Sequence, residues 1–286
     1  MVADNNQQQN PIKQNKKAIV ICADDFGQAS KISQGISELL HLKRINATSC
    51  LTNFDDFQTD FKLIKEIENI DIGLHLNLTE GKPLTSALSL KTNNHQFKSL
   101  NTLLIKSQGR ALNKHDIYQE LKAQLDCFID FFGFSPHFLD GHQHIHHLPI
   151  VREVVFDLFN QYHLKQNKTY IRSVNHLVKS SVKGLVIKYT GATTFRKQLK
   201  KNHILHNDQF GGIYDFKPEN FKNTFENDLS KIKHAGLLMC HPGYQINGDV
   251  LNKTREVELN YFKSKNFLEK LIEHHLILKR GKMIFS

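Results

Sequence analysis

Asp140 to His147 reads DGHQHIHH, an aspartate and four histidines within eight residues. Imidazole is the commonest side-chain metal ligand and the one ring that changes charge near neutral pH. A run this dense suits a metal centre or a substrate wall, and a histidine-rich surface turn is the plainer alternative. Backbone state decides which rings meet. In extended chain His142, His144 and His146 share a face, whereas in helix His142 and His146 stack. One or two of them suffice to ligate an ion, and the rest would bind substrate or orient their neighbours.

Three further segments carry related chemistry. In ADDFG (23–27), Asp24 and Asp25 follow an apolar run. Adjacent carboxylates there are costly unless water, a cation or a metal compensates them; a helix cap plus turn is the other reading. His75 sits in NIDIGLHLNL (69–78) and could equally be a satisfied half-buried histidine. His241 follows LLMC and precedes Pro242-Gly243, which bend the chain away and leave the ring projecting. Metal ligand, proton donor and loop cap are all open for it. The donor role is favoured, because a hydrolase needs one opposite the activated water. One Asp with two His leaves coordination positions open on a divalent ion, and a second Asp beside them can act as base.

Elements that would carry these residues alternate along the chain. AIVICADD (18–25), NATSCLTN (46–53), residues 69–78, PHFLDGH, TYIRSV (169–174) and AGLLMCH (235–241) read as strands. Between them, helical spacing is expected over residues 30–44, 57–69, 117–132, 149–163, 218–233 and 256–275, with a last strand near 282–286. In residues 69–78, Ile70, Ile72, Leu74, Leu76 and Leu78 share one face, and Asp71, Gly73, His75 and Asn77 the other. A polar stretch from about 80 to 113 reads as an insertion over one end. The fold class expected is α/β, an irregular (β/α) TIM-like barrel in a single domain over 18–286, with an open doubly wound sheet as the alternative. Asp24, Asp25, His75, Asp140, His142 and His241 would then gather at the rim where parallel strands end.

Composition narrows the setting. Residues 1–17 are polar and read as a disordered leader rather than a secretory signal. With 40% apolar residues and no long apolar run, an ordinary globular core is expected and a membrane span is not. Four cysteines without CxxC spacing suggest buried thiols in a reducing compartment, so the cytoplasm is expected. The net charge of +10 owes much to residues 176–203, where Lys179, Lys183, Lys188, Arg196, Lys197, Lys200 and Lys201 meet no acid. No nucleic-acid-binding module accompanies them, so a solvated basic face is preferred over a nucleic-acid partner.

The segments ADDFG, GLHLNLTEGKPL (73–84), LDGHQHIHHLP (139–149) and MCHPGY (239–244) together resemble the YdjC-like carbohydrate deacetylases, the group that includes chito-oligosaccharide deacetylases and hopanoid-associated proteins. The resemblance runs in order through almost all of the chain after residue 17. It implies a distorted (β/α) barrel that binds a divalent metal ion, Mg2+ or Zn2+, and removes acetyl groups from an N-acetylated sugar or oligosaccharide. It further implies Asp25, His75 and His142 as metal ligands, Asp24 as general base and His241 as proton donor. His144, His146 and Arg172 are expected at the substrate, and a homodimer is one expected assembly. Where relatives carry an Arg-x-Pro-x-Glu segment, this chain reads IRSVNH, keeping Arg172 alone. A metal-dependent phosphoesterase with an anionic substrate is the competing enzyme reading.

Overall fold

The computed structural model describes residues 16–175 and 188–286. The expected leader up to residue 15 lies outside them, as do Lys179, Lys183 and the side chain of Lys188. Eight strands form one sheet: β1 (Lys17–Phe26), β2 (Ala47–Cys50), β3 (Asp71–Leu76), β4 (Phe138–Gly141), β5 (Tyr170–Ile171), β6 (Gln209–Gly211), β7 (Gly236–Cys240) and β8 (Leu276–Leu278). Their order is β5-β4-β3-β2-β1-β7-β6, with β8 paired to the start of β1. Every pairing between these strands is parallel.

The two edges of this curled sheet meet through irregular chain. Ile171 N–H donates to the Leu205 carbonyl and Phe210 N–H to that of Asn175, both at 2.9 Å. The Asn207 amide adds two bonds of 2.7 Å to the Ser173 backbone. The result is an irregular (β/α) barrel, the fold class expected.

Ten helices surround or cap it among the described residues: α1 (Ser30–His41), α2 (Phe57–Asp60), α3 (Leu100–Gln108), α4 (Lys114–Phe132), α5 (Val151–Gln161), α6 (Thr193–Lys201), α7 (Pro218–Lys231), α8 (Asn252–Lys263), α9 (Lys265–Glu273) and α10 (Gly281–Ile284). In α4 the expected stripe of Ile117, Leu121, Leu125, Phe128 and Phe132 is buried, and Asn113 caps its first turn. None of the described helices is long and apolar enough to cross a membrane.

Several expected boundaries shift for local reasons. Residues 57–69 form only α2 and a 3-10 turn, Phe61–Leu63, with Asp56 and Asp60 drawn to Ser30 at the start of α1. The helix expected over 256–275 divides at Ser264, whose extended backbone ends α8 and whose Oγ caps α9. The last strand is β8, not 282–286; Arg280 and Gly281 N–H bind Asp71 at 2.8 and 2.5 Å and hold α10 under β3.

Two apolar cores result among the described residues. The larger lies between sheet and helices and includes Ile19, Ile21, Leu74, Leu121 and Phe128. A smaller one, with Val20, Cys22, Phe138, Tyr170, Phe210 and Met239, fills the barrel beneath its rim. Along β3 the inward residues are Asp71 at the base, Gly73, and His75 at the top. Gly73 leaves the space that the Phe138 ring fills.

Two stability effects follow from this frame. Gly212 has a φ of 87°, and an added Cβ would overlap the Met239 carbonyl oxygen. Gly212→Ala is expected to cost about 2–4 kcal/mol in chemical denaturation through strain and overlap. His137 Nδ1 accepts Ile72 N–H at 2.9 Å, and burial, Arg280 and Lys282 push the imidazole down to about 3 from 6.5. The ring is therefore neutral when folded, and the unfolded chain takes up a proton first. Its contribution is intact above about pH 6.5 and is lost as pH falls toward about 3. Near pH 4 the loss is about 3 kcal/mol, and His137→Gln is expected to flatten that part of the stability–pH curve.

Candidate active site

A regular strand would send Asp24 and Asp25 to opposite faces. Here the register of β1 against β2 shifts between Ala23 and Phe26, and Asp25 adopts a left-handed φ of 70°. The bulge turns both carboxylates into one cavity. A non-glycine residue held there is strained, a cost commonly met at functional sites.

The histidine run neither stays extended nor becomes an α-helix. It forms a 3-10 stretch, His142–His147, with Gln143 and His144 in left-handed conformations. His142 consequently reaches the Asp25 carboxylate of β1, and His144 lines the cavity. His146 turns below, where Nε2–H donates to the Arg172 carbonyl at 3.0 Å. His147 pairs with the Thr190 hydroxyl at 2.9 Å.

Asp25, His75 and His142 converge. Asp25 Oδ1 lies 3.0 Å from His142 Nδ1 and 3.7 Å from His75 Nε2. One donor atom from each of the three residues falls within 4.8 Å of the others. His75 is oriented from behind by Asp140 Oδ1, 2.7 Å from Nδ1, and by Ser49 Oγ at 3.0 Å. That backing leaves Nε2 facing the cluster, the arrangement that fixes tautomer and ring in metal-binding histidines. On the far side of His142, Nε2 faces Glu80 Oε1 at 3.4 Å, an ion-pair distance rather than a closed hydrogen bond.

The electrostatics favour a cation at this point. Burial opposes charge on His142, yet Asp25 and Glu80 outweigh it and lift the imidazole to about 10. Burial likewise pushes Asp25 up, but Arg255 and His142 hold it well below the usual carboxylate range. A carboxylate and two imidazoles at such spacing fit a divalent ion, which would take the place that the proton takes on His142.

Below the cavity floor, Arg172 is fully buried. Its guanidinium grips Asp24 at 2.6 and 2.7 Å and Asp140 Oδ2 at 2.6 Å. Burial raises the Asp140 carboxyl, but Arg172 and His75 bring it down to about 2. Cys22, Asp24 and Asp140 also lie close enough to hold an ion. That position is already filled by the guanidinium, 3.0 Å from Cys22 Sγ. Arg172 and His146 thus support the floor from beneath, whereas His144 stands in the wall.

His241 follows β7 and lines the cavity beside Asp24 and Asp25. Its backbone N–H donates to Glu258 Oε2 at 2.5 Å, and the Phe216 ring meets the imidazole edge-on at 5.0 Å. Nδ1 has no hydrogen-bond partner. Burial pushes this imidazole down to about 4, with Asp25 and Asp24 acting in the opposite sense.

The cavity holds about 800 Å3. Ser107 Oγ bonds the Pro149 carbonyl and Gln108 that of Thr190, which sets Leu100 and Leu104 of α3 on the histidine side. The expected insertion therefore supplies one wall. Ile213, Phe216, Ile246 and Leu251 line the side near His241.

Glu80, Gln28, Ser49 and Arg255 also brace the cluster, and no motif assigns them a role. Glu80 lies within the GLHLNLTEGKPL segment, one of those that carry the family resemblance. Arg255 stands in an ordinary amphipathic helix, and no spacing distinguishes it.

The sequence profile of the YdjC-like protein family matches residues 18–273. A carbohydrate deacetylase of Xenopus laevis is 31% identical over 153 residues, 51% of this chain and 48% of that one. One from Clostridium beijerinckii is 26% identical over 226 residues, 79% of this chain and 81% of the relative. The chain spans about half the length of the first curated relatives it matches. Among solved structures, a proposed cellobiose-phosphate cleavage protein of Enterococcus faecalis V583 is 20% identical with a TM-score of 0.73, covering 95% of this chain and all (100%) of that one. A peptidoglycan N-acetylglucosamine deacetylase has a TM-score of 0.52 at 12% identity, covering 95% of this chain and 89% of its own. These two likenesses concern the fold. With a profile that runs from the first strand through α9, the chain belongs to the YdjC-like protein family.

Proposed function

We propose that the protein is a hydrolase that removes acetyl groups from N-acetylated carbohydrates by metal-assisted cleavage of the amide. The observation that carries this is the convergence of Asp25, His75 and His142 in a cavity that also presents Asp24 and His241. Relatives named carbohydrate deacetylase support the substrate class. A cavity of about 800 Å3 lies within the range of small-molecule sites and has room beyond a single acetamido group.

Asp25, His75 and His142 would hold the ion. Two imidazoles with one carboxylate suit Zn2+ better than Mg2+, which prefers oxygen ligands, so we place zinc first. A divalent cation held there supplies Lewis acidity at the acetyl carbonyl and acidifies water. Asp24, fixed by the Arg172 fork, accepts the proton of the attacking water. His241 then protonates the departing amine. Its ring is neutral at rest because of burial, so it takes up from solvent the proton it delivers as negative charge grows in the cavity, and Asp24 returns the proton it accepted to solvent when acetate leaves.

His241→Asn is expected to lower kcat for acetate release by about 100- to 1,000-fold with little change in metal content. The proposal itself is tested by acetate release from N-acetylchito-oligosaccharides before chelation, after chelation and after Zn2+ is restored. Turnover that survives chelation undiminished rejects it. The phosphoesterase reading draws less support from the described lining: its arginine, Arg255, is already engaged by Asp25 and Asp249, and His142 by Asp25. Four free thiols, three of them buried, fit a reducing compartment, and we assign the cytoplasm on that ground.

A further inference from the structure

The two oxygens of Asp25 are used differently. Oδ1 faces both histidines, while Oδ2 accepts from Arg255 Nη2 at 2.9 Å. Arg255 is itself 1% exposed and held on several sides. Nε donates to Asp249 Oδ2 at 2.7 Å, Nη2 also reaches Gln28 Oε1 at 3.0 Å, and Nη1 lies 3.5 Å from the His241 carbonyl. Gln28 passes the chain of contacts to Glu80 Oε2 at 2.8 Å, and Glu80 Oε1 faces His142. The contacts close a ring: Asp25, Arg255, Gln28, Glu80, His142 and back to Asp25.

Affinity for a cation does not explain this guanidinium. A fixed positive charge beside a metal site opposes the ion and competes for its carboxylate. What the planar fork does provide is direction, since it engages Oδ2 while Asp249 and Gln28 hold the fork in place. A freed Oδ2 could join the ion's shell and fill a position that water or substrate needs, and a catalytic site must keep such a position open.

Resting on the metal-site reading above, we propose that Arg255 is a positioning residue that keeps Asp25 a one-oxygen ligand and so leaves the cation accessible to water and substrate. Glu80, placed by the turn in which Asn77 Oδ1 accepts the N–H groups of Thr79 and Glu80, closes the ring on His142.

The test loads the full-length protein with Co2+ and reads its visible absorption and binding curve alongside acetate turnover. Arg255→Met is expected to bind Co2+ at least as tightly as wild type. Its absorption should weaken, because an added donor raises the coordination number. The kcat should fall about 100-fold with KM little changed. Arg255→Lys, which keeps a donor near Oδ2, is expected to restore the wild-type spectrum. A merely structural role predicts a different pattern, with affinity lost alongside fold stability and an unchanged spectrum for whatever ion remains bound. X-ray absorption of the Zn2+-loaded wild-type protein gives an answer that does not depend on any variant folding: one carboxylate oxygen in the shell is expected. Asp25 bound through both oxygens, or an Arg255→Met spectrum identical to wild type, overturns this inference while leaving the metal site intact. Wild-type protein that takes up neither Co2+ nor Zn2+ overturns the metal-site reading and this inference together.

Discussion

Arg172→Met is expected to destabilise the protein by about 3–5 kcal/mol, the loss typical when one partner of a buried ion pair is removed. The guanidinium touches Asp24 on two oxygens and Asp140 on a third, and all three side chains are at most 2% exposed. Its loss leaves two carboxylates facing each other across the floor, Asp140 still supported by His75 and Ser49 and Asp24 by the Cys22 thiol. Two adjustments follow: one carboxyl takes up a proton, or water enters the floor. Either one disturbs Asp24, so kcat should fall as well. Arg172→Lys does not rescue fully, because an ammonium is a point donor and cannot span both carboxylates as the fork does. Urea denaturation of both variants measures the effect. A loss below about 1 kcal/mol, the scale of an exposed pair, would show that the floor does not depend on this cation.

Asp25→Ala should have the largest effect on turnover, lowering kcat/KM by about 10,000-fold, equivalent to about 5 kcal/mol of transition-state stabilisation. His142→Ala is expected to behave similarly. In both variants the metal content drops with the activity, and excess Zn2+ restores little of either. Asp25→Ala also leaves Arg255 unpaired on one side, while Asp249 continues to hold it, so the fold should survive the change. Activity and bound zinc measured on the same preparations separate this outcome from general unfolding, in which circular dichroism would change too.

The parts of this site legible from sequence were those that obey simple periodicity. Alternation along residues 69–78 put Asp71, Gly73 and His75 on one face, and the barrel uses that face. The stripe of α4 was equally clear. Polar residues at the ends of apolar runs marked Asp24, Asp25, His75, His142 and His241, and the cavity gathers all five. Departures from regular backbone were not legible. A bulge places Asp24 and Asp25 together where a pleat would separate them. Left-handed Gln143 and His144 send neighbouring histidines to different places. Short strands such as β6 and β8, three residues each, are too brief for a period to register. Arg172 and Arg255 illustrate a further gap. Each is a single residue whose contact with the carboxylates of β1, Asp24 for Arg172 and Asp25 for Arg255, spans more than a hundred positions, and no local spacing encodes that.

The central claim is that Asp25, His75 and His142 hold one cation. A crystal grown with Zn2+ and measured at the zinc absorption edge addresses it directly. The account predicts a single strong anomalous peak per chain, about 2 Å from Asp25 Oδ1 and from one nitrogen of each histidine. Zinc bound elsewhere with these three side chains outside its shell, or no zinc bound at all, would contradict it.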